Sequence, residues 1–196
     1  MANTNAPFGF RPVSYKPAAA STGGMTSRKM QNNAGACNRG DIVKHLVDGT
    51  VAVTTTANAA VNVGVVEGFH FLSAVMGYPI WTNYWPGSGA VGLVDVLIID
   101  DPNQVYEVMA SAGPITMADI GANADIVINA STTGFSKWAL GAPAVGAGSD
   151  VLPFKIVGVG NDGYPISDGY DATAANNIVQ VVFNTNYYKP TTGVAV

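Results

Sequence analysis

The stretch Asp41-Ile-Val-Lys-His-Leu-Val47, Asp48-Gly49, Thr50-Val-Ala-Val-Thr54 sets two β-rich runs on either side of an Asp-Gly dipeptide. Branched side chains favour extended backbone, and Asp-Gly supplies the positive φ that a tight hairpin turn needs. The pattern predicts a β-hairpin. The same grammar continues outward. Val61-Asn-Val-Gly-Val-Val66 alternates, with Gly64 marking a bulge. Tyr78 to Trp85 holds four aromatics and reads as a strand, and Val94-Asp-Val-Leu-Ile-Ile99 reads as a buried one. Asp100-Asp101-Pro102-Asn103 turns the chain into Gln104-Val-Tyr-Glu-Val-Met109, which alternates again. Asp125-Ile-Val-Ile-Asn129, Phe154-Lys-Ile-Val-Gly-Val159 and Asn177-Ile-Val-Gln-Val-Val-Phe183 are further strands, and a short helix is predicted around Thr116 to Ile120. Short strands punctuated by Gly, Pro, Asn and Asp predict an all-β chain, an antiparallel barrel or a sandwich.

Toward the N-terminus the grammar changes. Pro7, Pro12 and Pro17 forbid a continuous helix and push their neighbours toward extended geometry. Phe8, Phe10, Val13 and Tyr15 lie between them, richer in apolar groups than a disordered tail would be, and Ala18 to Gly24 reads as a linker. The expectation is an extended arm over residues 1–36 and a β-barrel domain over 37–196. Such an arm would lie on a partner through Phe8, Phe10, Arg11, Pro12, Val13 and Tyr15, and the domain would fold without it.

Charge divides the chain in the same way. Residues 1–45 carry a net +5 and residues 46–196 a net −9. A basic segment before an acidic body suits docking on an acidic surface, including another copy of the chain. Nucleic acid is the weaker partner, because six dispersed cations form no cluster and have no aromatic platform. Charged residues are only 11% of the chain, against about 25% in an ordinary soluble domain. A surface so poor in charge favours association.

Chemistry-bearing motifs are sparse. Cys37 is the single cysteine, which excludes an intrachain disulfide and argues against a thiolate metal site. The first ten residues lack the basic-then-apolar order of a signal peptide, and no apolar run approaches the roughly 20 residues that span a bilayer. Gly158-Val-Gly160-Asn-Asp-Gly163 matches a dinucleotide fingerprint as a string, but Tyr164-Pro165 after it cannot open the helix that would face a pyrophosphate. Asp100 and Asp101 are turn formers rather than a catalytic pair, since adjacent strand residues point to opposite faces. Asp162, Asp168 and Asp171 could meet calcium in a Gly-rich loop, but their spacing is not that of a helix-loop-helix site. His45 and His70 have no ligand partner at metal spacing. The expectation is a protein that is not an enzyme and has no cofactor and no metal. Trp81, Tyr84 and Trp85 form either a surface aromatic patch or a plain core cluster.

The opening Ala6-Pro-Phe-Gly-Phe-Arg-Pro-Val13 resembles the arm of a group of tailed-bacteriophage virion proteins, the capsid decoration or cement proteins. The likeness continues through Asn38-Arg-Gly-Asp-Ile-Val43, Val63-Gly-Val-Val-Glu-Gly68, Ile98-Ile-Asp-Asp-Pro102, Ser131-Thr-Thr-Gly-Phe-Ser136 and Asn177 to Asn184. Gly160 to Asp171 departs from the family's pattern. The resemblance implies a β-barrel or β-tulip-like domain on the capsid exterior, assembled in the host cytoplasm. It further implies a homotrimer that contacts the major capsid protein, with no nucleic-acid or membrane partner. A tail or fibre component, or a carbohydrate-binding module using Trp81 and Trp85, is the alternative.

Overall fold

The computed structural model describes residues 3–15, 19–20, 24–56, 62–111, 113–131, 134–146, 148–160 and 174–188. The protein is all-β, with 48% of it in strands. The strands are β1 (Arg11–Tyr15), β2 (Ala19–Ala20), β3 (Thr26–Met30), β4 (Cys37–Asn38), β5 (Ile42–His45), β6 (Val51–Val53), β7 (Asn62–Leu72) and β8 (Pro79–Thr82). They continue with β9 (Tyr84–Trp85), β10 (Val94–Ile99), β11 (Gln104–Met109), β12 (Asn123–Val127), β13 (Ala139–Ala144), β14 (Phe154–Val159) and β15 (Ile178–Phe183). The expected helix near Thr116 is one 3₁₀ turn, Met117–Asp119, whose Asp119 carboxylate accepts the Thr116 N–H at 2.7 Å.

Asp41 to Thr54 folds as the hairpin its sequence predicts. β5 and β6 pair antiparallel with Val43 opposite Val53, and Gly49 takes a φ of +82° in the turn. Around it the order β10-β3-β6-β5-β7 closes, because β10 also pairs with β7. The result is a five-stranded barrel. It is mixed rather than wholly antiparallel, since β3 and β6 run parallel where Met30 meets Val51. Closure removes the unpaired edges that an open sheet exposes.

β7 pairs successively with β5, β10 and β8, and bends to do so. Its register slips opposite Val43/Lys44 and again opposite Leu97/Ile98, which leaves Val63 and Glu67 as the extra residues of two bulges. A Cβ on Gly64 would collide with the Ile99 carbonyl, so glycine is needed where β10 crosses so closely. Val63, Val66, Phe69 and Phe71 fill the barrel with Met30, Val43, Val51, Val94, Val96 and Ile98.

Ile42, Val65 and Ile99 point the other way, into a second core. That core lies under the sheet β13-β12-β14-β15-β11-β1-β2. Beyond Met109 this sheet curls back on itself through a parallel bridge between Ala110 and Leu140. Tyr106, Phe154 and Phe183 meet inside it, with the Phe154 and Phe183 rings stacked 4.7 Å apart. The outer wall of the first barrel is therefore part of the core of the second unit. This explains why β7 is buried on both faces over most of its length and why neighbouring Ile98 and Ile99 of β10 are both buried.

Strand pairing runs across the boundary expected between residues 36 and 37. β3 is a wall of the closed barrel, with Met30 fully buried. β1 pairs antiparallel with β11, Arg11 opposite Glu107. Phe10 is 2% exposed and stacks on Phe154 at 4.5 Å, so its ring is part of the core. Pro7 and Pro12 lie in an extended segment, and extension here serves sheet pairing. The charged β3 sequence hides this, because its side chains alternate between solvent and core.

Candidate assembly surfaces

Pro7, Phe8, Phe10, Arg11 and Pro12 form one wall of a cleft of about 520 Å³, whose other walls are Arg39, Gly40, Glu67, Asn83 and Gly134 to Ser136. Backbone hydrogen bonds hold the wall in place: Gly9 N–H donates to the Trp138 carbonyl at 3.1 Å and Phe10 N–H to the Gly40 carbonyl at 3.0 Å. Gly9 has φ +76°, and a Cβ there would lie 2.5 Å from the Ser136 side chain. Only glycine lets the two segments approach so closely. Asn38 Oδ1 accepts the Gly134 N–H at 2.8 Å and fixes the opposite rim.

The cleft is basic overall. The bulge in β7 aims Glu67 at Arg39, and they pair at 2.7 Å. Arg11 sits over the Phe8 ring at 4.7 Å and makes no ion pair among the described residues. Glu107, across the strand from Arg11, is half-buried; burial raises its pKa and Arg11 pulls it partly back. Phe135 stands on the rim, 72% exposed. Of the expected contact residues, Phe8, Arg11 and Pro12 thus line a cleft together, and Phe10 forms its floor. Val13 is half-buried beyond it, and Tyr15 lies in β1, which pairs with β2.

Beneath the cleft, Asp41 is buried, with Oδ2 accepting the Asn38 N–H at 2.8 Å. Burial raises its pKa, and hydrogen bonds from Ser136 and then Asn38 offset this only in part. Burial likewise pushes the neighbouring Cys37 thiol well above its ordinary value, and Asp41 adds to the effect.

Trp81, Tyr84 and Trp85, expected together as a surface patch or as a core cluster, are divided. Trp85 is fully buried and meets Phe71 edge-on at 4.8 Å, while Tyr84 is half-buried. Trp81 alone is exposed, at 68%, and stacks on His70 at 4.2 Å. Trp85 ends up inside because β9 pairs with β4, Trp85 opposite the buried Cys37.

A further surface had no motif to announce it. Leu72, Val75, Met76 and Tyr78, at and around the β7–β8 turn, are all exposed, Val75 at 90%. Val91 N–H donates to the Leu72 carbonyl and Ala74 N–H to the Gly89 carbonyl, which brings exposed Val91 and Leu93 alongside. No charged residue occurs from Phe71 to Val94. That absence is visible in the sequence; its meeting with exposure is not. Scattered exposed apolar groups are ordinary, but a continuous cluster on a projection marks an interaction site.

Asp100 and Asp101 have separate tasks. Asp101 Oδ1 accepts the Asn103 N–H at 2.8 Å, as a turn former does. Asp100 instead accepts from Thr26 at 2.9 Å and Tyr188 at 3.0 Å, and pairs with Arg28 at 3.4 Å, tying β3 to the C-terminal segment. His45 stacks on Tyr187 at 4.8 Å. Among the described residues no three His, Cys, Asp or Glu side chains converge as a metal site. Residues 162, 168 and 171 lie outside the described residues, as does the end of the 158–163 glycine string. No helix among the described residues is long and apolar enough to cross a membrane. No protein family, curated protein or solved structure matches the chain.

Proposed function

We propose that this chain is a non-enzymatic virion structural protein that binds the outer surface of a phage capsid and cements neighbouring capsomers, as a homotrimer assembled in the host cytoplasm. The observation that carries the reading is the uncharged apolar projection built by Leu72, Val75, Met76, Tyr78, Val91 and Leu93. Each such side chain contributes roughly 1.5–3 kcal/mol when fully removed from water. A chain that leaves this many in solvent gains by covering them with protein. The charge-poor surface around them loses little solvation on burial. The resemblance of Ala6 to Val13 and the later segments to decoration proteins names the partner, the major capsid protein. Simultaneous engagement of several capsomers by a trimer would multiply weak contacts into firm attachment. The carbohydrate-module alternative loses its aromatic pair, because Trp85 is buried away from Trp81.

Cosedimentation of the full chain with shells of the major capsid protein tests this. Wild-type protein should pellet with shells, and the Val75→Asp, Met76→Asp variant should lose about tenfold or more in affinity while keeping its melting temperature. Wild-type protein that stays in the supernatant at every concentration would refute the assignment.

A further inference from the structure

We propose that the cleft beside the N-terminal strand is a docking site for a second copy of this chain, which inserts the acidic β13–β14 loop around Asp150. The inference rests on the homotrimer part of the reading above and gives that trimer its contact.

The receiving side is preformed. Its walls are tied by backbone hydrogen bonds at Gly9, Phe10 and Gly134, so little ordering is lost on binding. It offers Arg11, whose guanidinium makes no ion pair among the described residues and has only the half-buried Glu107 across the strand from it, between an apolar ring beneath and another, Phe135, exposed on the rim. Such a site suits a carboxylate next to an aliphatic side chain.

The chain supplies that ligand itself. Among the described acids, Asp48, Asp95, Asp100, Asp101, Asp119 and Glu67 are each engaged by hydrogen bonds or ion pairs within their own chain, Asp41 is buried, and Glu107 and Asp125 are half-buried within strands. Asp150 is exposed, and its carboxylate accepts no hydrogen bond among the described residues. Exposed Val151 follows it, and exposed Val145, at 84%, stands at the start of the same loop. Asn184 Nδ2 donates to the Asp150 and Leu152 carbonyls at 2.8 and 3.0 Å, so the loop is braced from within.

Placement decides between contact within a copy and contact between copies. Phe135 and Ser136 precede β13, and Val145 to Asp150 follow it. Six residues of strand separate the two surfaces by on the order of 20 Å. One copy therefore cannot fill its own cleft with this loop. Two different patches at opposite ends of one strand make a head-to-tail contact, which closes into a ring where the rotation allows. The opposed charges of residues 1–45 and 46–196 supply the same polarity over the whole chain.

Sedimentation equilibrium of the full chain, alone and at matched salt, reads the contact. Wild-type protein should self-associate. Arg11→Glu and Asp150→Arg should each raise the dissociation constant about tenfold or more, and the double variant should restore much of the loss. Phe135→Ser, an exposed change that leaves the strands intact, should weaken association without altering charge. A monomeric wild type, or singles that associate as the wild type does, would overturn the proposal. Shell binding is measured separately. Wild-type shell binding with unaltered self-association in Arg11→Glu defeats this inference alone; loss of shell binding with the charge swap intact defeats the capsid reading alone.

Discussion

Replacing Phe10 by alanine asks whether the N-terminal segment belongs to the fold. Phe10 is 2% exposed, stacks on Phe154 at 4.5 Å, and shares a core with Tyr106 and Phe183. Removing a buried phenylalanine costs about 3–5 kcal/mol, the sum of lost transfer free energy and the cavity left behind. The cost should sit at the upper end here, because the opposing ring cannot follow: Phe154 is held in β14 and is itself stacked on Phe183. Against a total stability of about 5–15 kcal/mol, this is a large fraction. For a chain of this length each kcal/mol moves the melting temperature by about 2–4 °C, so Phe10→Ala should melt about 6–20 °C lower. Urea unfolding followed by tryptophan fluorescence and far-UV circular dichroism gives the free energy directly. Phe8→Ala is the internal comparison. Its ring is half-buried and its specific contact is the Arg11 cation–π pair, worth about 0.5–1 kcal/mol. A Phe10→Ala cost below about 1 kcal/mol would mean that the segment is a detachable arm after all, and the packing argument would fail.

The divided aromatics give a second contrast in the same assay: Trp85→Ala should cost about 3–5 kcal/mol, whereas Trp81→Ala should cost about 1 kcal/mol or less, and equal costs would contradict the burial of one and exposure of the other. Asp41 sets a pH dependence. Folding raises its pKa by burial, so the native state keeps a proton that the unfolded chain has released. Its contribution is therefore fully present at acid pH, and is lost as pH rises from the ordinary carboxylate range through the raised value. Asp41→Asn should flatten part of that slope in unfolding free energies measured across pH, and identical slopes would count against the buried carboxyl. Cys37 should resist a thiol reagent in the folded protein and react promptly in urea, because burial holds the thiol protonated and out of reach; equally fast labelling in both states would contradict its placement.

Local chemistry alone carried much of the fold. Asp48-Gly49 has one good use between branched residues, and the hairpin stands where the sequence puts it. Val94–Ile99, Gln104–Met109 and Phe154–Val159 have the bounds their apolar patterns predict. Period-two alternation and turn residues act within a few positions, so a linear reading finds them. Strands such as Thr26–Met30 and Ala139–Ala144 were illegible for the converse reason. One is polar and the other is small and contains Pro143, and both are strands because neighbours distant in sequence hold them. The same limit applies to the sites. Phe10 and Trp85 look like exposed anchors beside Arg11 and Trp81 until pairing with β11 and β4 turns them inward. The cleft joins Arg11, Arg39, Glu67 and Phe135, which no spacing rule connects. Composition determined that this chain is β and poor in charge. Only the closure of one barrel against a second curled sheet decided which apolar groups were left exposed, because burial depends on contacts between residues far apart along the chain.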